Sequence, residues 1–247
     1  MGKCEFCGKE LGTRKVAIPF AVGKYMEMVE PCDCQEAQRA AEERVRKADE
    51  EARAKEVGRV RDSARIPKRY LMQAPDARLI PDVMAGGSVY VHGIAGDGKT
   101  ALACATALAY VEEQTRRWEY GWRCPKVVRF LCATDWTGAV RAAMDTRGLS
   151  EDDLLSKYGG CDLLILDDLG KGKQTEWSVA LLYRLVNRRY EDMLPTVYTS
   201  QYDLESLQER LTVNGDTDTA EAIVDRLHET CRAIRLGDVN RRRSLGF

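Results

Sequence analysis

Residues 93–100 read Gly93-Ile94-Ala95-Gly96-Asp97-Gly98-Lys99-Thr100, which fills every specified position of the phosphate-binding P-loop pattern. This stretch constrains the fold more than any other, because the loop works only between a strand and a helix. Both are expected here. Ser88-Val89-Tyr90-Val91-His92 is a short β-rich run entered through Gly86-Gly87, and residues 101–113 form an Ala- and Leu-rich helical stretch. Glycines let backbone N–H groups crowd around phosphate oxygens, and the helix N-terminus adds partial positive charge. On this reading Gly93 through Thr100, with Ala101, cradle a nucleotide. Lys99 reaches the β- and γ-phosphates, and the Thr100 hydroxyl holds Mg²⁺. A glycine-rich turn that merely precedes a lysine is the competing reading, and the complete pattern in its context disfavours it.

A second signal lies at Cys161-Asp162-Leu163-Leu164-Ile165-Leu166-Asp167-Asp168-Leu169-Gly170. Four consecutive large apolar residues predict a strand buried on both faces, as in a parallel sheet, and the acids fall at its C-terminal end where ligands bind in open α/β sheets. Asp167 is the candidate Walker B carboxylate that shares Mg²⁺ with Thr100, and Asp168 is placed to orient or polarise the attacking water.

At 247 residues the chain is long enough for one large α/β domain with an appendage. Its formal net charge of −1 means that any nucleic-acid contact must come from a local patch, not a global field. No apolar run approaches the roughly 18 residues needed to span a bilayer, so no membrane association and a cytoplasmic location are expected. Nine cysteines are an awkward number for a disulfide framework, which points to metal ligation by some and burial of the others.

The ligation candidates are Cys4, Cys7, Cys32 and Cys34, in the pairs Cys4-Glu5-Phe6-Cys7-Gly8 and Pro31-Cys32-Asp33-Cys34. Four thiolates at that spacing suit tetrahedral Zn²⁺. A segment as short as 1–34 has too little apolar surface to fold alone, so the metal would supply most of its stability. Residues 35–65 read as a charged helical linker, free of proline up to Ala64 and carrying only a weak apolar stripe of alanines with Val45, Val57 and Val60. Pro67 biases its predecessor away from the helical region and marks the start of the main domain, 66–247.

Beyond the P-loop helix, Arg116-Arg117-Trp118-Glu119-Tyr120-Gly121-Trp122-Arg123 alternates basic and aromatic residues, as on a surface that stacks bases, although packing of arginine stems against rings is the commoner cause. Strands are predicted over 127–132, 195–201 and 232–236. Helices are predicted over 136–147, 149–158, 176–192, 204–211 and 220–229.

This series of motifs resembles the bacterial and phage helicase loaders of the DnaC/DnaI type, within the wider AAA+ ATPases, over nearly the whole chain. The resemblance is carried by the cysteine-rich start, Ile66-Pro67-Lys68-Arg69-Tyr70, the run ending Asp167-Asp168-Leu169-Gly170, and Asn187-Arg188-Arg189-Tyr190 followed by Pro195-Thr196. It implies a three-layer αβα AAA+ domain with a five-stranded parallel sheet, and ATP bound at contacts between self-associated subunits. It also implies attachment to a hexameric replicative helicase and affinity for single-stranded DNA. Thr199-Ser200-Gln201-Tyr202 looks like the sensor 1 segment, with Gln201 where the family usually carries asparagine. Asp225-Arg226-Leu227 is similar to the family's Ser-Arg-Leu box, which makes Arg226 the candidate finger for a neighbour's ATP. The sensor 2 arginine is sought in Arg241 or Arg242.

Three rival readings share these residues. Transposition helper ATPases of the IstB type have a very similar core, and Cys4, Cys7, Cys32 and Cys34 weigh against them. A zinc-bearing DNA-binding adaptor that uses nucleotide only structurally is the second. A P-loop small-molecule kinase is the third, disfavoured by the lack of a substrate-pocket signature.

Overall fold

The computed structural model describes residues 2–17, 24–74, 77–117, 127–147 and 150–237. Contacts divide the chain into two compact units, 1–55 and 56–247.

In the first unit β1 (Gly2–Lys3) pairs with β2 (Glu10–Leu11), and β3 (Thr13–Ala17) pairs with β4 (Tyr25–Val29), both antiparallel. Across the second pair Val16 faces Met26. Helix α1 (Gln35–Ser63) then begins, and its end falls in the second unit. Its weak stripe behaves as charge patterning requires: of this helix only Glu56 and Val60 are buried.

The second unit continues with α2 (Lys68–Leu71), a 3-10 turn, α3 (Ile80–Met84), β5 (Ser88–His92) and α4 (Lys99–Arg116). After β6 (Val128–Cys132) come α5 (Ala133–Arg147), α6 (Glu151–Gly159), β7 (Leu163–Leu169) and α7 (Glu176–Glu191). The series closes with β8 (Thr196–Ser200), α8 (Leu204–Leu211), α9 (Asp218–Thr230) and β9 (Cys231–Arg235). No helix among the described residues is long and apolar enough to cross a membrane.

Five strands form one parallel sheet in the order β6-β7-β8-β5-β9. Side chains alternate between its faces with period two. On β7, Leu163 and Ile165 join one apolar cluster with Val89, Val91 and Leu108 of α4, while Leu164 and Leu166 join the other with Leu185 of α7 and Leu227 of α9. Both faces are therefore covered by helices, which is why the strand reads as an unbroken apolar run instead of an alternating one. The result is the three-layer αβα architecture and five-stranded parallel sheet expected from the sequence.

Local chemistry fixes the helix starts. Ser150 and Asp153 form a reciprocal capping box on α6, as do Thr175 and Ser178 on α7, and Asp203 caps α8. The P-loop helix starts at Lys99, two residues before the predicted start, and α5 starts at Ala133 instead of Trp136.

One buried side chain ties the N-terminal edge of the sheet together. Arg189 is 2% exposed. Its Nη1 donates to the carbonyls of Tyr158, Gly159 and Cys161, its Nη2 to Pro195 O at 2.7 Å, and its Nε to Thr196 Oγ1 at 2.7 Å. A planar five-donor fork can satisfy such a ring of acceptors at once. The arrangement explains why Arg189 and Pro195-Thr196 travel together in the sequence: the arginine joins α7 to the starts of β7 and β8. Arg189→Ala should lower stability by roughly 3 kcal/mol or more, since several buried carbonyls lose their donor. Arg189→Lys should recover little of it, as denaturant unfolding would show.

Candidate functional site

The P-loop leaves β5 at His92 and enters α4 at Lys99, and its glycines take backbone angles closed to other residues: φ is +150° at Gly93, +90° at Gly96 and +102° at Gly98. The left-handed Gly98 lets the chain turn directly into the helix. Lys99 Nζ donates to Gly93 O (2.8 Å), Ile94 O (2.6 Å) and Asp97 Oδ1 (2.9 Å). Asp97 and Lys99 form a buried ion pair.

The acids arrive from β7. Its register against β8 shifts between Leu166 and Leu169, and Asp168 adopts φ +58°. Aspartate tolerates that conformation better than most residues. A single hydroxyl organises the pair: Thr199 Oγ1 donates to Asp167 Oδ1 at 2.6 Å and accepts the Asp168 N–H at 3.0 Å. Burial raises the Asp167 pKa above the usual carboxylate range, against the downward pull of the Thr199 and Thr100 hydroxyls. A cation in contact would favour its charged form. Asp167 with Thr100 offers the hard oxygen ligands that Mg²⁺ takes. Asp168 pairs with Lys171 at 2.6 Å.

These groups meet at a cleft of about 400 Å³ lined by the P-loop from Ala95 to Ala101, Asp168, Lys171 and Gln201. Three further lining residues, Arg69, Tyr70 and Gln73, were not singled out as site residues from the sequence. Arg69 lies over the Tyr70 ring at 5.4 Å. Their place is unpredictable from local pattern because α2 is one turn long. Thr199 is the β8 residue that touches the acids, and Gln201, just past the end of β8, lines the cleft. Cys132 was also missed: it faces Asp167 in register, and its sulfur and the Asp167 and Asp168 oxygens lie within 4.8 Å of one another.

Arg226 does not line the cleft. Its guanidinium donates to Asn187 Oδ1 (2.7 Å), Ala222 O (2.8 Å) and the Tyr183 hydroxyl (3.1 Å), and lies over the Tyr183 and Tyr190 rings. Arg241, Arg242 and the aromatic stretch 118–123 fall outside the described residues. Arg116 and Arg117, at the start of that stretch, both pair with Glu113.

In the first unit, Cys4, Cys7, Cys32 and Cys34 bring their sulfurs within 4.8 Å of one another. The Cys4 and Cys34 sulfurs are 3.8 Å apart, and those of Cys7 and Cys32 are 3.4 Å apart. Four sulfurs around one Zn²⁺ at the usual bond length are about 3.8 Å apart, so the group fits. The backbone N–H groups of Cys7 and Phe6 hold the Cys4 thiol down at about 7. The Cys34 backbone amide pulls Cys32 down, yet burial and the neighbouring thiols push it up to about 12. The Cys4 thiolate forms easily, and that of Cys32 needs a cation to neutralise it.

Comparison with known proteins finds relatives of two kinds. The family model described as IstB-like ATP binding protein matches residues 83–244. A Sinorhizobium fredii protein named as an insertion-sequence ATP-binding protein is 33% identical over 106 residues, covering 43% of this chain and 31% of that protein. The replicative helicase loader DnaC of Escherichia coli is 24% identical over 102 residues, 41% of this chain and 38% of the loader. The chain thus matches only about a third of the length of these relatives. Among solved structures, the DnaC helicase loader superposes with a TM-score of 0.53 at 20% identity, covering 69% of this chain and 100% of that one. DnaI superposes with 0.52 at 20% identity, covering 72% and 94%. At that identity these two show the fold.

The cysteine geometry sets a test. The purified protein should carry one equivalent of Zn²⁺ by metal analysis, and Cys32→Ser should lose it. Zinc binding should weaken steadily as pH falls, because protons compete for the Cys32 thiolate, and more steeply below about 7, where they compete for Cys4 as well.

Proposed function

The chain belongs to the IstB-like ATP-binding protein family, and from that premise we propose that it is an ATPase that loads a hexameric replicative helicase onto single-stranded DNA. The observation that carries the ATPase is the convergence of Lys99, Thr100, Asp167 and Asp168, which the sheet brings together from separate stretches of chain. Lys99 and the P-loop amides hold the phosphates, and Gly93 through Thr100 with Ala101 enclose them. Thr100 and Asp167 would hold Mg²⁺, which when bound would supply positive charge against that of the phosphates. Asp168 orients water once Lys171 gives way, and Thr199 fixes the acid pair. Gln201 faces the cleft, where it reads the terminal phosphate. Arg69, Tyr70 and Gln73 form the wall against which the base packs.

Self-association supplies the remaining charge. Arg226, once released from Asn187 and its tyrosine cage, serves a neighbouring subunit's nucleotide as a finger. Arg241 or Arg242 serves as the second sensor. The cysteine module is the hand that grips the helicase: Phe6, Tyr25, Met26 and Met28 are exposed apolar side chains on the unit whose four cysteines would hold the metal. ATP favours the self-associated, DNA-gripping state and hydrolysis weakens it.

A second reading has its own support. The 33% identity to the insertion-sequence protein favours a transposition helper acting on duplex DNA. Native mass measurement separates the two. Mixed with the cognate replicative helicase, the protein should form a complex that an ATP analogue strengthens and that Cys32→Ser loses while still binding ATP. No complex with helicase, together with ATP turnover stimulated by duplex DNA alone, would transfer the assignment to the transposition class. Lys99→Ala should lower turnover by roughly 100-fold or more. Turnover that survives it would overturn the assignment of the cleft.

A further inference from the structure

We propose that Asp97 is an affinity-setting residue of the nucleotide site, an internal anion that competes with the bound phosphates for Lys99. The inference rests on the reading of the cleft as a nucleotide site and adds a residue that works against it. Its grounds are geometric. The Lys99 and Asp97 side chains are 6% and 1% exposed and 2.9 Å apart. The same Asp97 Oδ1 also accepts the Lys99 backbone N–H at 3.3 Å. With Gly93 O and Ile94 O as its other acceptors, the ammonium has an acceptor for each of its three protons. A phosphate therefore cannot simply be added to Lys99 and must take over a bond that one of these acceptors holds.

Of the three acceptors only Asp97 carries a formal charge, so it is the one whose loss of the lysine matters most. Apart from the long bond from the Lys99 backbone N–H, the described residues offer it no alternative partner. Oδ2 is buried and has no hydrogen-bond donor among the described residues. It lies against the Cα of Gly93, where any side chain would collide with it. At 1% exposed, the carboxylate meets little water when Lys99 turns to a ligand, and a buried charge whose partner withdraws is strongly disfavoured. The loop thus contains a carboxylate in the surroundings that ought to attract phosphate, and its net attraction for a polyanion is reduced.

Two consequences follow for the ligand. The site binds nucleotide more weakly than the motif alone implies, for ATP and ADP alike. It also selects the magnesium-chelated form, because a cradle whose lysine is already neutralised depends on the metal to offset the phosphate charge.

The test is nucleotide affinity by calorimetry in the full chain, for the wild type, Asp97→Asn and Asp97→Ser, with Mg²⁺ and with chelator in its place. Asparagine keeps the shape and removes the charge; serine is the second variant should asparagine impair folding. Folding is checked by circular dichroism. The expected result is about tenfold or tighter binding of ATP and ADP in the variants, equivalent to about 1.4 kcal/mol, with a larger gain in chelator than in Mg²⁺. A role in shaping the loop alone would not produce that metal dependence. Equal or weaker affinity in a folded variant, with wild-type binding intact, overturns the inference and leaves the reading of the cleft standing. Absence of nucleotide binding in wild type and variants alike overturns both.

Discussion

Strand β8 is paired on one side to β5, which leads into the P-loop, and on the other to β7, which ends in Asp167 and Asp168. Its ladder hydrogen bonds therefore set the distance between the two halves of the site. Because parallel strands all point the same way, the P-loop, the acids and Thr199 emerge at one edge of the sheet. The geometry at that edge depends on burial farther back: Val197 and Tyr198 pack into opposite apolar clusters and hold β8 in register. A slip of one residue would exchange its two faces and carry Thr199 away from the acids.

The opposite edge is held by different means. There the arginine fork of Arg189 gathers carbonyls from the end of α6 and the starts of β7 and β8. Polar groups buried without partners would undo a sheet of this kind, and a single side chain meets several of them. The sheet is thus clamped by a guanidinium at its base and by a hydroxyl at its active edge, with two apolar layers between.

Much of this was legible in the residues, for physical reasons. A doubly buried strand must be apolar throughout, so β7 declared itself as Leu163-Leu164-Ile165-Leu166. Tight phosphate-type loops need glycine, so 93–100 could hardly be misread. The longer helices showed their periodicity, and the four cysteines their spacing. What escaped was set by tertiary contact. Thr199 and Tyr70 stand inside motifs that assign them no role, and Cys132 looks ordinary in its local context; only strand order brings Thr199 and Cys132 to the acids, and only chain return brings Tyr70 to the cleft. The short antiparallel pairs of the first unit escaped for another reason: two- and five-residue strands with exposed side chains carry no periodic signal. The Asp97–Lys99 pair was hidden within a motif whose pattern leaves position 97 unspecified.

The bend at Asp168 bears on how freely this sequence can drift. Its positive φ is tolerated by glycine, asparagine and aspartate far better than by longer side chains. Glutamate would preserve the charge but would have to recover the backbone strain elsewhere, by flattening the bulge or releasing the Thr199 hydroxyl. Of the substitutions that conserve an acid at this position, the chain has little latitude beyond the residue it already carries.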